Sequence, residues 1–202
     1  MFLMTMNQYE QRFYARAADM LAAMYLHRPN GRLTIAFTEA IGVLHQGLGL
    51  TDDFSNEADP LPDLKADYDA LFFAPVSGRY LPPYESAQRT RRLWGPITHQ
   101  VAAFYASVSF DPATLHMDEH WLHLDAPDHA GVELACLSAL LRTNANAPDP
   151  AVESALQYFL RNHLARWLPD FGRQLAEHAS TSHYRLLGTL TRSLVLGLLP
   201  ED

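Results

Sequence analysis

The chain has 202 residues, of which 48% are hydrophobic and 19% are charged, so it can bury a real core and lacks the charge content of a disordered protein. Its formal net charge is −8, and its nearest approach to a basic patch, Arg89 to Arg92, is short. These properties argue against a nucleic-acid-binding protein and favour a cationic partner.

Features of the termini and of the single cysteine bear on location. The first residues lack the positive segment, long apolar run and cleavage site of a secretory leader. No uncharged apolar run approaches the ~20 residues that span a bilayer. Cys136 is the only cysteine, which fits a reducing compartment. We therefore expect a cytoplasmic protein without stable membrane insertion.

The first half of the chain predicts three helices and one long irregular segment. An apolar stripe at helical spacing predicts a first helix that stops near Arg28, where Pro29-Asn30-Gly31 follows. A second helix is expected from Leu33 to about Leu48, and a third from about Asp63 to Pro75. Residues 75–94 are expected to be irregular but ordered and functional, because long loops in compact domains are usually functional or disordered.

The second half predicts helices with clear start positions. Gly95-Pro96 opens a helix, since proline is tolerated in the first turn. After a histidine-rich acidic connection, an apolar helix is expected from His129 to Leu141. Asp149 is a good N-cap for the next helix, which should break near Pro169. A final helix is expected to begin near Thr181-Ser182.

The overall pattern is helical throughout, without strand alternation or a fixed repeat. We predict an all-α fold, a single-domain helical bundle of about seven to ten helices over residues 1–202. A subdivision near 109–127 is a further expectation.

Histidines and carboxylates cluster in the connection before the apolar helix. His116, His120 and His123 lie close to several acidic residues, and imidazole and carboxylate groups can bind a metal if they converge. This leaves open a metal-dependent hydrolase. A solvated acidic loop is the simpler interpretation, because the cluster lacks the H-E-x-x-H order and has no cysteine pair, and we expect no metal or cofactor site.

Two loops rich in proline, aromatic and acidic residues are the strongest functional candidates. They follow or precede predicted helices, and their residues could form an acidic groove with apolar walls that accepts an arginine-bearing peptide. The candidate peptide-binding residues are Tyr68, Leu71, Phe72, Pro83, Tyr84, Glu85, Ser86, Pro127, Asp128 and His129.

A core aromatic cluster with ordinary helix caps is the alternative interpretation of the same residues. Asp128 lies just before a predicted helix, and Glu85-Ser86 lies beside a turn, so both positions suit capping groups. The groove requires Tyr84 and Asp128 to lie close together and to reach the surface.

At these motifs the sequence resembles the TorD/DmsD-like family of cytoplasmic chaperones for molybdenum-containing oxidoreductases. The resemblance is carried by an ordered set of motifs from about residue 9 to 198, with Asp125 in place of the usual Glu and Tyr84 where some members have Trp. The matching residues are Tyr68, Leu71 and Phe72, then Pro82 to Ser86, then Asp125, Pro127, Asp128 and His129, then Glu133-Leu134, and last His163, Leu164, Trp167, Pro169 and Phe171.

The resemblance implies an all-helical chaperone and not an enzyme. Its partners would be the twin-arginine leader peptide and the catalytic subunit of a molybdopterin oxidoreductase, held until the cofactor is inserted. Asp128 and His129 would contact or orient the arginine pair, with Glu85 in support. A homodimer is compatible with the family, whose members can exchange helices, and a general helical interaction module remains the other alternative.

Overall fold

The computed structural model describes residues 6–51, 59–119, 121 and 126–200. Within these residues the chain forms nine α-helices and no β-strand, so the predicted all-α fold with seven to ten helices is confirmed. The helices are α1 (Gln8–Leu26), α2 (Gly31–Gly47), α3 (Leu61–Phe72), α4 (Glu85–Thr90), α5 (Pro96–Ser107), α6 (Ala130–Asn146), α7 (Pro150–Asn162), α8 (Leu168–His178) and α9 (Ser182–Leu196).

Helix starts follow the capping residues that the sequence supplies. Asn7 caps α1 in a capping box with Glu10, and Asp149 caps α7 as predicted. Thr181 caps α9, again at the predicted position. The break expected near Pro169 lies a few residues earlier, between the end of α7 at Asn162 and the start of α8 at Leu168. Pro169 itself sits in the first turn of α8, where its missing N–H disrupts no hydrogen bond.

The core forms around two closely packed helix pairs. α1 packs along α6, and α8 packs along α9. Glycines allow both approaches: a Cβ added at Gly131 would lie 2.5 Å from Cγ of Leu26, and one at Gly188 would lie 2.4 Å from the carbonyl oxygen of Gly172. Several small alanine side chains on α1 are also buried, which lets neighbouring helices lie close to it.

Two segments differ from the sequence prediction. The stretch 75–94 was expected to be irregular, but it contains a short 3₁₀ turn (Pro75–Ser77) and α4. The apolar helix expected to end at Leu141 continues to Asn146. That extension is polar, and it stays helical beside α1, where the buried side chain of Asn144 donates a hydrogen bond to Gln11 at 3.2 Å.

None of the helices in the described ranges is both long and apolar enough to cross a membrane. The subdivision near residues 109–127 stays a prediction, although α1 before it and α6 after it pack against each other.

Candidate functional site

The two sequence motifs lie side by side. Tyr84 and His129 form an isolated antiparallel bridge. The Glu85 N–H donates to the Asp128 carbonyl at 2.9 Å, and the Ala130 N–H donates to the Pro83 carbonyl at 2.8 Å. Backbone pairing therefore joins the segment that leads into α4 to the segment that leads into α6, and the predicted proximity of Tyr84 and Asp128 is confirmed.

Asp128 and His129 act as helix caps, each for a different helix. The Asp128 carboxylate accepts a hydrogen bond from the Ser86 N–H at 2.8 Å and so caps the first turn of α4, not the helix that follows it in sequence. The His129 ring accepts at Nδ1 from the Gly131 N–H at 3.1 Å and caps α6. Asp128 is thus a capping residue, as the alternative to the groove expects, but the helix that it caps is α4, and His129 is the cap of the helix that follows.

Most of the candidate peptide-binding residues are buried, so they do not form the exposed groove that the sequence predicts. Nine of the ten candidate residues are buried, with Tyr84 only 3% exposed and Asp128 fully enclosed; only Pro127 is partly exposed. The predicted acidic surface walled by these side chains is therefore wrong in this conformation. The buried candidates are Tyr68, Leu71, Phe72, Pro83, Tyr84, Glu85, Ser86, Asp128 and His129.

These residues are buried because their aromatic rings pack against each other in the core. Tyr68 and Phe72 pack edge to face with ring centroids 5.1 Å apart, the geometry that aromatic pairs favour. The Tyr68 hydroxyl donates to the carbonyl of Tyr25 at 3.0 Å and accepts from the Trp121 indole at 2.9 Å. The Tyr68 hydroxyl therefore has both a donor and an acceptor partner inside the protein, so its burial leaves no unpaired polar group.

Glu85 is the centre of a buried ionic cluster that sequence reasoning assigned only to peptide binding. One carboxylate oxygen lies 2.8 Å from Nδ1 of His163, and the other contacts Arg89. Arg89 could have been found from its i, i+4 spacing on a helix. His163 belongs to the motif His163-Leu164, but no sequence spacing indicates that it reaches Glu85.

Burial also alters the charges of this region. The pKa of Glu133 is raised well above its usual range, first by burial and then by the nearby Glu85 carboxylate. The Trp167 indole donates to Glu133 at 3.0 Å. Burial lowers the pKa of His129 to about 3, which leaves its ring neutral.

Several buried polar atoms at the junction of α4 and α6 lack a hydrogen-bond partner among the residues that the structure describes. Buried polar groups are normally paired, so each exception calls for an explanation. Because His129 accepts at Nδ1, its ring proton lies on the unpaired Nε2. The unpaired atoms are Tyr84 OH, Ser86 Oγ, Asp128 Oδ1, His129 Nε2 and Glu133 Oε1.

A surface pocket of about 560 Å³ lies next to this junction. Its lining is largely apolar and comes from α5, the loop after it and the start of α6. Asp111 supplies a carboxylate. The pocket adjoins the junction through Trp121, whose ring centroid lies 4.4 Å from that of His129. Pro127 is the candidate residue that lines it, beside Tyr105, Phe110 and Val132.

The candidate metal cluster consists of His116, His120 and His123. His116 is exposed, whereas His120 and His123 lie outside the described residues. Across the ranges that the structure does describe, no group of three or more His, Cys, Asp or Glu side chains could hold a metal ion.

Comparisons with known proteins address the family. The model of the nitrate reductase delta subunit family matches residues 30–173. A chlorate reductase assembly chaperone protein from Ideonella dechloratans is 33% identical over 134 residues, which are 63% of this chain and 64% of that protein. The chain thus covers less than two thirds of this relative's length.

A solved structure shares the fold. A candidate redox enzyme maturation protein from Archaeoglobus fulgidus aligns with a TM-score of 0.55 at 19% identity, over 91% of this chain and 93% of that one. This likeness concerns the fold alone. Because the family match spans both motif segments, the resemblance drawn from those motifs is confirmed, and the chain belongs to the nitrate reductase delta subunit family.

Proposed function

We propose that the protein is an assembly chaperone that binds the twin-arginine leader and the unassembled catalytic subunit of a molybdopterin oxidoreductase. It acts in the cytoplasm, catalyses no reaction and holds its client until the cofactor is inserted. The family assignment and the relative's name as a chlorate reductase assembly chaperone support this role.

The observation that carries the proposal is the apolar pocket beside a junction rich in unpaired polar atoms. A twin-arginine leader combines an apolar segment with adjacent guanidinium groups. The pocket beside Pro127 has a mostly apolar lining that could contact the leader's apolar segment. Asp111 in the same lining could form an ion pair with one of the leader's arginines. An Arg–carboxylate pair can be bidentate, which adds orientation as well as affinity.

The buried motif residues would take part only after a local opening. If the segment 126–130 separates from the start of α4, Asp128 Oδ1 and the Ser86 hydroxyl become acceptors for guanidinium N–H groups. Both atoms lack a partner among the described residues when the junction is closed. Opening breaks the backbone hydrogen bonds that join the two segments and the bond from the Ser86 N–H to Asp128, and leader binding has to offset that loss. Tyr68, Leu71, Phe72 and Pro83 would frame the opened site, with Tyr84, Glu85 and His129 at its edge.

Binding of a synthetic leader peptide to the purified protein tests the proposal. Ala106 is exposed and lines the pocket, whereas Ala103 is exposed on the same helix and does not. We expect Ala106→Lys to weaken leader binding by about tenfold or more, because it places a like charge in the apolar pocket, and Ala103→Lys to leave it unchanged. Unchanged affinity in a folded Ala106→Lys protein would contradict the assigned pocket.

A second peptide separates leader recognition from general peptide binding. Replacing both arginines of the leader with glutamine should reduce its affinity, since it removes the guanidinium groups while keeping the apolar segment. Equal affinity of the two peptides would favour the general helical interaction module.

A further inference from the structure

A second apolar groove lies between α1 and α2 and shares no lining residue with the pocket beside Pro127. Its volume is about 580 Å³. Its lining combines small side chains, Ala17 and Ala40, with larger ones, Phe13 and Met20. Small residues facing each other across two helices leave space that larger ones would fill.

The apolar edges of this groove are exposed. Tyr9 is 72% exposed and Val43 is 66% exposed. The ring of Phe13 packs against the backbone at the end of α2, where a Cβ added at Gly47 would lie 2.2 Å from the ring's Cζ. Exposed apolar edges beside an apolar lining are typical of a surface that another chain covers.

Two positively charged side chains line the same groove. Arg12 and Arg16 lie one turn apart on α1. Neither forms an ion pair with a residue in the described part of the chain, and Arg12 donates only to the amide oxygen of Asn146 at 3.2 Å. The carboxylates nearest in sequence are engaged elsewhere, Glu10 at the N-cap and Asp19 in an ion pair with α6.

We propose that this groove docks an amphipathic helix that carries carboxylates beside its apolar face, from the body of the client and not from its leader. Charge complementarity selects the occupant, because Arg12 and Arg16 attract carboxylates and repel a leader's arginines. That the partner is the client rests on the proposed function. That the groove binds an acidic amphipathic helix rests only on the residues that line it.

Helical geometry suits this occupant. A helix can lay side chains at i, i+3 and i+4 into the groove between two others. The two arginines are four residues apart, so their side chains start ~6 Å from each other. Carboxylates spaced one turn apart on the docked helix would meet both of them.

Two synthetic peptides of about 20 residues, long enough for several helical turns, provide the test. Both carry the same leucine stripe, one with glutamates along its edges and the other with lysines at the same positions. We expect the glutamate peptide to bind and the lysine peptide to bind at least about tenfold more weakly. Raising the salt concentration should weaken the glutamate peptide, because exposed ion pairs are screened.

Matched variants locate the binding. Val43→Glu should weaken the glutamate peptide by about tenfold, since it places a like charge beside the apolar lining, whereas Val76→Glu, at a 97% exposed position on the 3₁₀ turn, should not. Arg16→Glu should weaken it by about threefold to tenfold and the exposed Arg161→Glu should not. Leader binding should be the same in all four variants.

Three outcomes would overturn this proposal without touching leader binding. They are equal affinity for the two peptides, no binding of either, and binding that Val43→Glu leaves intact. A protein that sediments as a dimer and becomes a monomer with Val43→Glu would show that the groove takes a second copy instead. Loss of leader binding in Ala106→Lys, measured in parallel, reports on the proposed function alone.

Discussion

The ring Nδ1 of His163 lies 2.8 Å from a carboxylate oxygen of Glu85, and both side chains are buried. Arg89 contacts the other oxygen of the same carboxylate. These contacts join α4 to the end of α7. A buried carboxylate is tolerated here because both of its oxygens are paired.

We predict that removing one member of this pair destabilises the fold. His163→Leu leaves one oxygen of the buried Glu85 carboxylate without its imidazole partner, and removing one partner of a buried pair costs about 3 kcal/mol. The free energy of unfolding in urea measures the loss.

A double-mutant cycle provides the control. Glu85→Leu together with His163→Leu should be more stable than the sum of the two single changes predicts, because no unpaired carboxylate then remains. Strict additivity of the three free energies would show that the 2.8 Å contact contributes nothing.

We predict that Asp128 contributes to the stability of the free protein as a helix cap, independently of any role in leader binding. Its carboxylate accepts from the Ser86 N–H at 2.8 Å and caps α4, so Asp128→Ala should lower the free energy of unfolding by about 1–2 kcal/mol. Asp128→Asn keeps an acceptor oxygen and should lose less. Equal loss in both variants would argue against a capping role.

The same pair of variants separates the two roles of Asp128. Asn removes the charge that would meet a guanidinium but retains the cap. A folded Asp128→Asn protein with weakened leader binding would support local opening at this junction, whereas unchanged affinity would place the leader outside it.

The helices were predictable because their apolar spacing and caps are local features. Asp149 and Thr181 cap helices at the positions that the sequence indicates. α4 was missed because its six residues are too short to show a period. Its start is fixed from outside by the Asp128 carboxylate, 42 residues away in sequence.

The candidate site was predictable in its members but not in its exposure. The sequence indicated that Tyr84 and Asp128 would meet, and they do. Whether Tyr84 and Asp128 are buried depends on which distant residues pack over them, and local sequence patterns do not reveal such contacts. Trp121 packs on both Tyr84 and His129, and a carboxylate oxygen of Glu85 contacts His163, the C-cap residue of a helix far along the chain.

Acid should destabilise the protein through His129. Burial lowers the pKa of His129 to about 3 from an ordinary value of 6.5, so the unfolded chain binds the extra proton first. The stability from this group is complete above pH 6.5 and is lost as the pH falls towards 3. Between pH 6.5 and 5 the loss is about 2 kcal/mol, at about 1.4 kcal/mol per pH unit.

His129→Asn isolates this effect, because asparagine can cap α6 and cannot titrate. The difference in unfolding free energy between the two proteins should shrink or reverse in favour of the variant as the pH falls from 6.5 to 5. His183, whose pKa burial lowers to about 4, contributes to both proteins and cancels. A parallel pH dependence of the two proteins would contradict a buried neutral His129.

Close packing of α8 on α9 predicts a strong effect at Gly188. A Cβ there would lie 2.4 Å from the Gly172 carbonyl oxygen and 2.7 Å from the Ala176 backbone nitrogen. Both are backbone atoms that cannot rotate away, so Gly188→Ala must push the helices apart. Overpacking of this kind costs about 1–3 kcal/mol, which thermal unfolding would show as a lower midpoint.

Gly42→Ala is the matched change in an open position. Gly42 lies within α2, and a Cβ there would meet nothing within 4 Å, so alanine should stabilise the helix by about 0.5–1 kcal/mol. The two substitutions add the same methyl group to a helical glycine and should shift the unfolding midpoint in opposite directions. A midpoint that Gly188→Ala leaves unchanged or raises would mean that α8 and α9 are not in backbone contact at Gly188.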